Sequence, residues 1–152
     1  MDYDITLKEL PATLALTAHK RTGMADIPAA MGEAFGAIMA CAEAGGAQYA
    51  GPPFCLYPGE MGDEIDMVLC MPVAPGAAGG PGVEVEEIPG GLVASAMHVG
   101  SYAGLRDAYG ALQVWMAENG RRPAGPPREI YLSDPGSVPE SVLLTEVAWP
   151  VF

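Results

Sequence analysis

Glu146 is the residue whose surroundings in the sequence most clearly suggest chemistry. It stands in the run Leu143-Leu144-Thr145-Glu146-Val147-Ala148-Trp149, where most neighbours are apolar. Burial in such a strand raises the pKa of a carboxyl group unless a cation or hydrogen-bond donors compensate. A carboxylate of this kind can bind a cation or act as a general acid or base. The alternative is a strand with one solvated face, from which Glu146 points to water.

Three aromatic residues are candidates to accompany this carboxylate. Tyr57 and Tyr131 lie in short runs with β character, and Trp115 lies in a segment with helical spacing. Aromatic faces near a carboxylate attract organic cations and flat apolar molecules. We therefore predict that Glu146, Tyr57 and Tyr131 bind a ligand, and that Glu146 is the catalytic residue if the protein is an enzyme. Core packing is the alternative for the two tyrosines. For Trp115, the helical spacing favours core packing over ligand binding.

The histidines and cysteines give no sign of a metal or redox site. His19 and His98 have no carboxylate at metal-ligand spacing, and Cys41, Cys55 and Cys70 are odd in number without a short paired spacing. The sequence also has no Ser-His-Asp pattern and no phosphate-binding glycine loop. We predict no metal site, no disulfide and no cofactor.

An internal repeat organises the chain. A shift of 74 residues relates Ala34-Phe35-Gly36-Ala37 to Ala108-Tyr109-Gly110-Ala111 and Gly51-Pro52-Pro53 to Gly125-Pro126-Pro127. With small insertions, the repeat aligns His19 with His98 and Glu146 with Val68. Each copy would therefore be about half of the chain.

Each copy is predicted to contain four strands and one helix. The strands are expected at 5–10, 13–19, 54–57 and 66–73, and again at 83–88, 92–99, 129–132 and 143–149. Apolar residues at helical spacing predict helices at 29–44 and 104–119, with the stripes Met31, Phe35, Ile38, Ala42 and Leu105, Tyr109, Leu112, Met116 facing the core. Strand-rich units with one helix each favour an α+β fold with an antiparallel sheet.

The predicted architecture is a single domain made of two β-β-α-β-β units. Repeat one spans residues 1–74, a Gly- and Pro-rich linker spans 75–82, and repeat two spans 83–152. If the helices cover one face of the strands, the opposite faces can meet across a pseudo-two-fold axis. A ligand cleft is then expected between the repeats, because pockets favour such interfaces.

Charge argues against polyanionic partners. Seven basic residues against nineteen acidic ones give a net charge of −12, whereas binding to nucleic acid or to an anionic membrane relies on clustered Lys and Arg. No apolar run approaches the length of a membrane span, and the N-terminus has no basic region followed by an apolar run. We predict a cytoplasmic protein that binds neither nucleic acid nor membrane.

Several segments, taken in order, resemble one known family. They are Lys8-Glu9-Leu10-Pro11-Ala12, His98-Val99-Gly100-Ser101-Tyr102, Trp115 to Gly120, Gly125 to Tyr131 followed by Asp134-Pro135, and Thr145 to Val151. This order resembles the GyrI-like small-molecule-binding domains, which also form the effector-binding domains of AraC-type and MerR-type regulators. The resemblance covers nearly the whole chain.

The resemblance implies a cleft that binds small amphipathic, aromatic or cationic compounds, with the glutamate of the final strand, here Glu146, at its base. It also implies that Tyr57, Tyr131 and Trp115 are the aromatic residues of this ligand site. In the regulators this domain follows a DNA-binding helix-turn-helix, whereas here the first strand begins within a few residues of the N-terminus. We therefore predict a stand-alone small-molecule-binding protein. The alternatives are a hydrolase of cyclopropane-bearing genotoxins that uses Glu146, and a protein-interaction role such as gyrase inhibition.

Overall fold

A computed structural model describes residues 3–59, 62–134 and 136–152. Eight strands and two α-helices follow one another along the chain: β1 Ile5–Leu10, β2 Thr13–Gly23, α1 Ile27–Gly45, β3 Phe54–Leu56, β4 Glu64–Pro72, β5 Glu84–Ile88, β6 Gly91–Val99, α2 Leu105–Glu118, β7 Arg128–Tyr131 and β8 Leu144–Pro150. The predicted α+β class and the element order are confirmed. Pro135 of the family motif and the first two residues of repeat one lie outside the described residues.

The strands form two compact units, and all strand pairs within them are antiparallel. Unit 1 comprises Met1–Leu10 and Gly91–Phe152, and unit 2 comprises Pro11–Gly90. The strand order is β1-β6-β8-β7 in unit 1 and β3-β4-β2-β5 in unit 2.

The first strand of each predicted repeat pairs with strands of the other half of the sequence. β1 runs beside β6 in unit 1, and β5 runs beside β2 in unit 2. The compact units therefore differ from the sequence halves 1–74 and 83–152 in the placement of these two strands. The partner of a strand depends on long-range contacts, which local sequence patterns do not encode.

Both units repeat the same backbone hydrogen bonds. The N–H of Ala50 donates to the carbonyl of Pro72 at 2.9 Å, and the N–H of Ala124 donates to that of Pro150 at 2.8 Å. Gly46 and Gly120 follow the two helices with the same left-handed φ of 65°, a conformation that glycine adopts without steric cost.

Strand register corrects one part of the sequence alignment. His19 lies opposite Val68 on β4, and Met97 lies opposite Glu146 on β8. The register therefore supports the alignment of Val68 with Glu146, but it makes His19 the equivalent of Met97 and not of His98. The side chain of His98 is buried and lies 2.9 Å from the hydroxyl of Tyr3 and 2.8 Å from the Ser101 carbonyl.

Each helix packs on the central strands of its own unit, α1 on β2 and β4 and α2 on β6 and β8. The buried helix residues are Ala34, Ile38 and Ala42 in α1 and Leu105, Ala108, Leu112 and Met116 in α2. Phe35 and Tyr109, which the sequence placed in the core stripes, are only half buried because Ala34 and Ala108 face the strands instead. Among the described residues, no helix is long and apolar enough to cross a membrane.

Candidate functional site

Glu146 lies in the middle of β8 and is 6% exposed. The hydroxyl of Ser95 on β6 donates a hydrogen bond to its Oε2 at 2.6 Å. The ammonium group of Lys8 on β1 forms an ion pair with the same oxygen. The buried carboxylate thus has a donor and a cation from its own unit, which offset the cost of its desolvation.

The Glu146 side chain projects from the sheet face that α2 does not cover. Its strand neighbour Val147 is fully buried in the cluster formed with α2. Successive side chains of a strand point to opposite faces, so Glu146 projects away from the helix. Met97 and Ile130 lie opposite Glu146 on the two flanking strands and share its face.

A second glutamate, Glu129 on β7, lies on the helix side of the same sheet. It is paired with Val147 across the two strands and is 6% exposed. The hydroxyl of Tyr109 on α2 donates to Oε2 of Glu129 at 2.8 Å, and the hydroxyl of Tyr131 donates to Oε1 at 2.9 Å. Each carboxylate oxygen of Glu129 therefore accepts a hydrogen bond from a tyrosine hydroxyl.

Further aromatic rings extend this arrangement. Tyr102 meets Tyr131 edge to face with ring centroids 5.8 Å apart, and Trp149 meets Tyr109 edge to face at the same separation. We call Glu129, Tyr102, Tyr109, Tyr131 and Trp149 the Glu129 cage. Tyr102 is 40% exposed, so the rim of the cage reaches solvent while its carboxylate is buried.

The electrostatics of the Glu129 cage favour cations. Burial raises the pKa of Tyr102, and the negative charges of Glu129 and Asp134 raise it further. A negative field that keeps a phenol protonated also attracts a positive ligand. Aromatic faces add a cation–π attraction, which is strongest where water is excluded.

The structure separates the four predicted site residues. Tyr131 belongs to the Glu129 cage, but its strand partner is Thr145, so it faces the side opposite to Glu146. Trp115 packs against the α2 core, about 120° around the helix axis from Tyr109. Tyr57 is buried directly after β3 in unit 2. The expected grouping of Tyr131 and Trp115 beside Glu146 is therefore not found in unit 1.

Sequence reasoning missed Glu129 as a site residue, although the signal that singled out Glu146 applies to it as well. The shift of 74 residues aligns Glu129 with Cys55, a small residue that is fully buried in β3. A carboxylate therefore replaces an apolar residue of the sister strand at both positions. Local spacing does not show that two tyrosine hydroxyls, one from α2 and one from β7 itself, donate hydrogen bonds to this carboxylate.

An open groove of about 300 Å³ lies in unit 2 around Val68, the counterpart of Glu146. Arg21 lines this groove and forms ion pairs with Glu64 at 2.5 Å and with Asp66 at 3.0 Å. Among the described residues that line this groove, there is no buried carboxylate and no Phe, Tyr or Trp side chain. The described lining therefore differs from the Glu129 cage, which has both.

The model of the GyrI-like small-molecule-binding domain matches residues 3–151. The chain belongs to this family. No match was found among curated protein sequences. Because the family match spans every strand and helix from β1 to β8, the GyrI-like assignment applies to both units.

Solved structures share the GyrI-like fold at low sequence identity. The EcmrR C-terminal domain is 23% identical, with a TM-score of 0.86, and the alignment covers 100% of this chain and 99% of that one. EcmrR in a complex with DNA has a TM-score of 0.89 at 23% identity, and the alignment covers 98% of this chain but 57% of that chain. SAV2435 bound to tetraphenylphosphonium is 12% identical, with a TM-score of 0.69 and coverage of 100% and 94%.

Proposed function

We propose that this protein binds small organic cations with aromatic character at the Glu129 cage. The observation that carries the proposal is the position of Glu129, a buried carboxylate whose two oxygens accept hydrogen bonds from Tyr109 and Tyr131. The family assignment provides the general function, small-molecule binding. The cage provides the chemistry that selects a ligand.

The physical argument rests on charge and desolvation together. A buried carboxylate keeps its charge only when donors or a cation stabilise it, and the tyrosine hydroxyls supply two donors. A lipophilic cation adds a positive charge without requiring hydrogen bonds of its own. Its apolar rings can then pack against Tyr102 and Trp149, where dispersion and cation–π attraction both contribute.

One solved relative supports this ligand class. The structure of SAV2435 has been determined with bound tetraphenylphosphonium, a phosphonium cation that carries four phenyl rings. That finding concerns SAV2435, and the low identity transfers only the fold. The Glu129 cage supplies the independent reason to test the same cation here.

The test is a calorimetric titration of the protein with tetraphenylphosphonium. Glu129→Gln keeps the shape of the side chain and removes its charge, and we expect it to weaken binding about 10- to 100-fold. Glu146→Gln is the matched control, since it makes the same change on the neighbouring strand and on the other sheet face. Glu146 already has Lys8 as its cation, so we expect less than about a threefold effect.

A neutral aromatic ligand separates charge from shape. Triphenylphosphine oxide has similar rings without the positive charge, and we expect Glu129→Gln to leave its affinity nearly unchanged. Equal losses for the cationic and the neutral ligand would mean that Glu129 acts through shape or stability. A loss confined to Glu146→Gln would move the site to the other sheet face, as the sequence predicted.

The stand-alone arrangement and the cleft between the repeats stay predictions from the sequence. Hydrolysis of strained electrophiles and a protein-interaction role stay the alternatives to ligand binding. The Glu129 cage concerns ligand binding within unit 1 alone.

A further inference from the structure

A group of metal-ligating side chains lies in unit 2. His19 on β2 and Glu84 and Glu86 on β5 each offer one ligand atom, and these atoms lie within 4.8 Å of one another. The imidazole Nε2 of His19 is 2.8 Å from Oε2 of Glu86. We call these three residues the His19 cluster.

The antiparallel pairing of β2 with β5 brings the cluster together. Glu84 lies opposite Thr17, and Glu86 lies opposite Ala15. Residues two apart on a strand share a face, so both glutamates project to the side on which His19 also lies. The hydroxyl of Thr17 donates to Glu86 and orients that carboxylate, as groups behind metal ligands commonly do.

The equivalent position in unit 1 carries the opposite charge. Lys8 on β1 lies opposite Val93, and Glu86 on β5 lies opposite Ala15, which is the counterpart of Val93. In unit 1 the ammonium group of Lys8 balances the carboxylate of Glu146. In unit 2 the same strand position adds a carboxylate and no cation.

Nearby basic residues do not supply the missing charge. Lys20 forms an ion pair with Glu33 of α1 at 2.8 Å, and Arg21 binds Glu64 and Asp66. Within residues 3–59, 62–134 and 136–152, no lysine or arginine forms an ion pair with Glu84 or Glu86. Two carboxylates at this separation repel each other unless a positive group is placed between them.

We propose that the His19 cluster binds a divalent transition-metal ion, with Zn²⁺ as its representative. One imidazole nitrogen and two carboxylate oxygens form a ligand set that Zn²⁺ accepts, and three protein ligands leave a fourth position open to water. Bonds of 2.0–2.2 Å place tetrahedral ligand atoms about 3.3–3.6 Å apart. The three side chains are exposed or half buried, so rotamer changes that shorten the present separations are sterically open to them.

The test titrates tag-free protein with Zn²⁺ in the presence of a competing chelator. We expect one equivalent to bind the wild type, and we expect His19→Gln and Glu86→Gln each to weaken binding at least about tenfold. Glu87→Gln is the matched control, because Glu87 is an exposed glutamate of the same strand that projects to the opposite face. Equal losses in Glu87→Gln and Glu86→Gln would overturn the proposal in favour of general attraction to the acidic surface.

Two further readouts do not depend on substitutions at the cluster. On addition of Zn²⁺ to the wild type, the ring proton signals of His19 should shift in NMR spectra, while those of the buried His98 should not. Co²⁺ should give d–d absorption without a thiolate charge-transfer band, because the cluster contains no cysteine. A thiolate band, or a spectrum in which the His19 signals stay in place, would overturn the proposal.

Discussion

Glu129 and Glu146 lie on adjacent antiparallel strands, one register position apart, and project from opposite faces of the unit 1 sheet. Glu129 pairs with Val147 on the side covered by α2, and Glu146 pairs with Ile130 on the other side. The two carboxylates also differ in their partners. Two tyrosine hydroxyls donate hydrogen bonds to Glu129. Glu146 forms an ion pair with Lys8 and accepts a hydrogen bond from Ser95. Substitutions at the two positions should therefore have separable effects.

Removal of a tyrosine hydroxyl from the Glu129 cage should destabilise the fold. Tyr109→Phe and Tyr131→Phe each delete a donor to a buried carboxylate, and we expect a loss of about 1–3 kcal/mol in the free energy of unfolding. Urea denaturation measures this loss. Tyr49→Phe is the control, since Tyr49 is 51% exposed, and we expect a change of at most about 0.5 kcal/mol. Equal effects at all three positions would contradict a special role for the hydroxyls.

The ionisation of Tyr102 should report the charge of Glu129. Burial and the nearby negative charges raise the Tyr102 pKa above its ordinary value of 10.0. The folded protein thus holds this proton more tightly than the unfolded chain does. The Tyr102 contribution to stability is therefore complete below pH 10 and is lost as the pH rises further.

Ultraviolet titration of the tyrosines tests this dependence. Glu129→Gln should lower the Tyr102 pKa toward 10.0, with Tyr102→Phe identifying the signal. Because burial is the largest cause, part of the upward shift should remain in the Gln variant. An unchanged Tyr102 titration in Glu129→Gln would show that Glu129 does not act on that ring.

The Lys8–Glu146 ion pair should show coupling in a double-mutant cycle. Lys8→Met leaves the buried carboxylate without its cation, and we expect a loss of about 1–3 kcal/mol after allowance for the partial exposure of Lys8. Adding Glu146→Gln should recover part of this loss, because the uncompensated charge is then gone. Lys20→Met, which breaks an ion pair with the exposed Glu33, should cost at most about 1 kcal/mol. Additive effects of Lys8→Met and Glu146→Gln would rule out coupling.

Incubation with a cyclopropane-bearing alkylating agent tests the hydrolase prediction. An enzyme should consume many equivalents, and Glu146→Gln should abolish turnover if Glu146 acts as the acid or base. A binding protein should hold one equivalent without forming a product detectable by mass spectrometry. We expect the second result, because Oε2 of Glu146 already forms an ion pair with Lys8 and accepts a hydrogen bond from Ser95.

Local sequence patterns carried most of the information on the elements. The sequence predicts that the second strand ends at His19. In the structure β2 continues to Gly23, because its last residues pair with β4 as far as Glu64. Polar residues such as Lys20 and Arg21 gave no sign of this extension. The other predicted bounds lie within two residues of those in the structure, since apolar spacing and glycine stops determine them.

The Glu129 cage and the His19 cluster are harder to predict than the strands and helices, because the residues of each group are distant in sequence. Glu129 is separated by 20 residues from Tyr109, its donor on α2. His19 is separated by more than 60 residues from Glu84 and Glu86, and the pairing of β2 with β5 that joins them crosses the predicted repeat boundary. Local spacing rules detect metal or catalytic sites only when the ligands are close in sequence.

The most direct test of the central claim is the position of bound tetraphenylphosphonium, measured by intermolecular nuclear Overhauser effects. The Glu129 cage predicts contacts between the phenyl protons of the ligand and the ring protons of Tyr102, Tyr131 and Trp149. Met97, which is 48% exposed and shares the face of Glu146, should show none. Contacts to the Met97 methyl group, with none to the rings of the cage, would contradict the account and place the ligand on the Glu146 face.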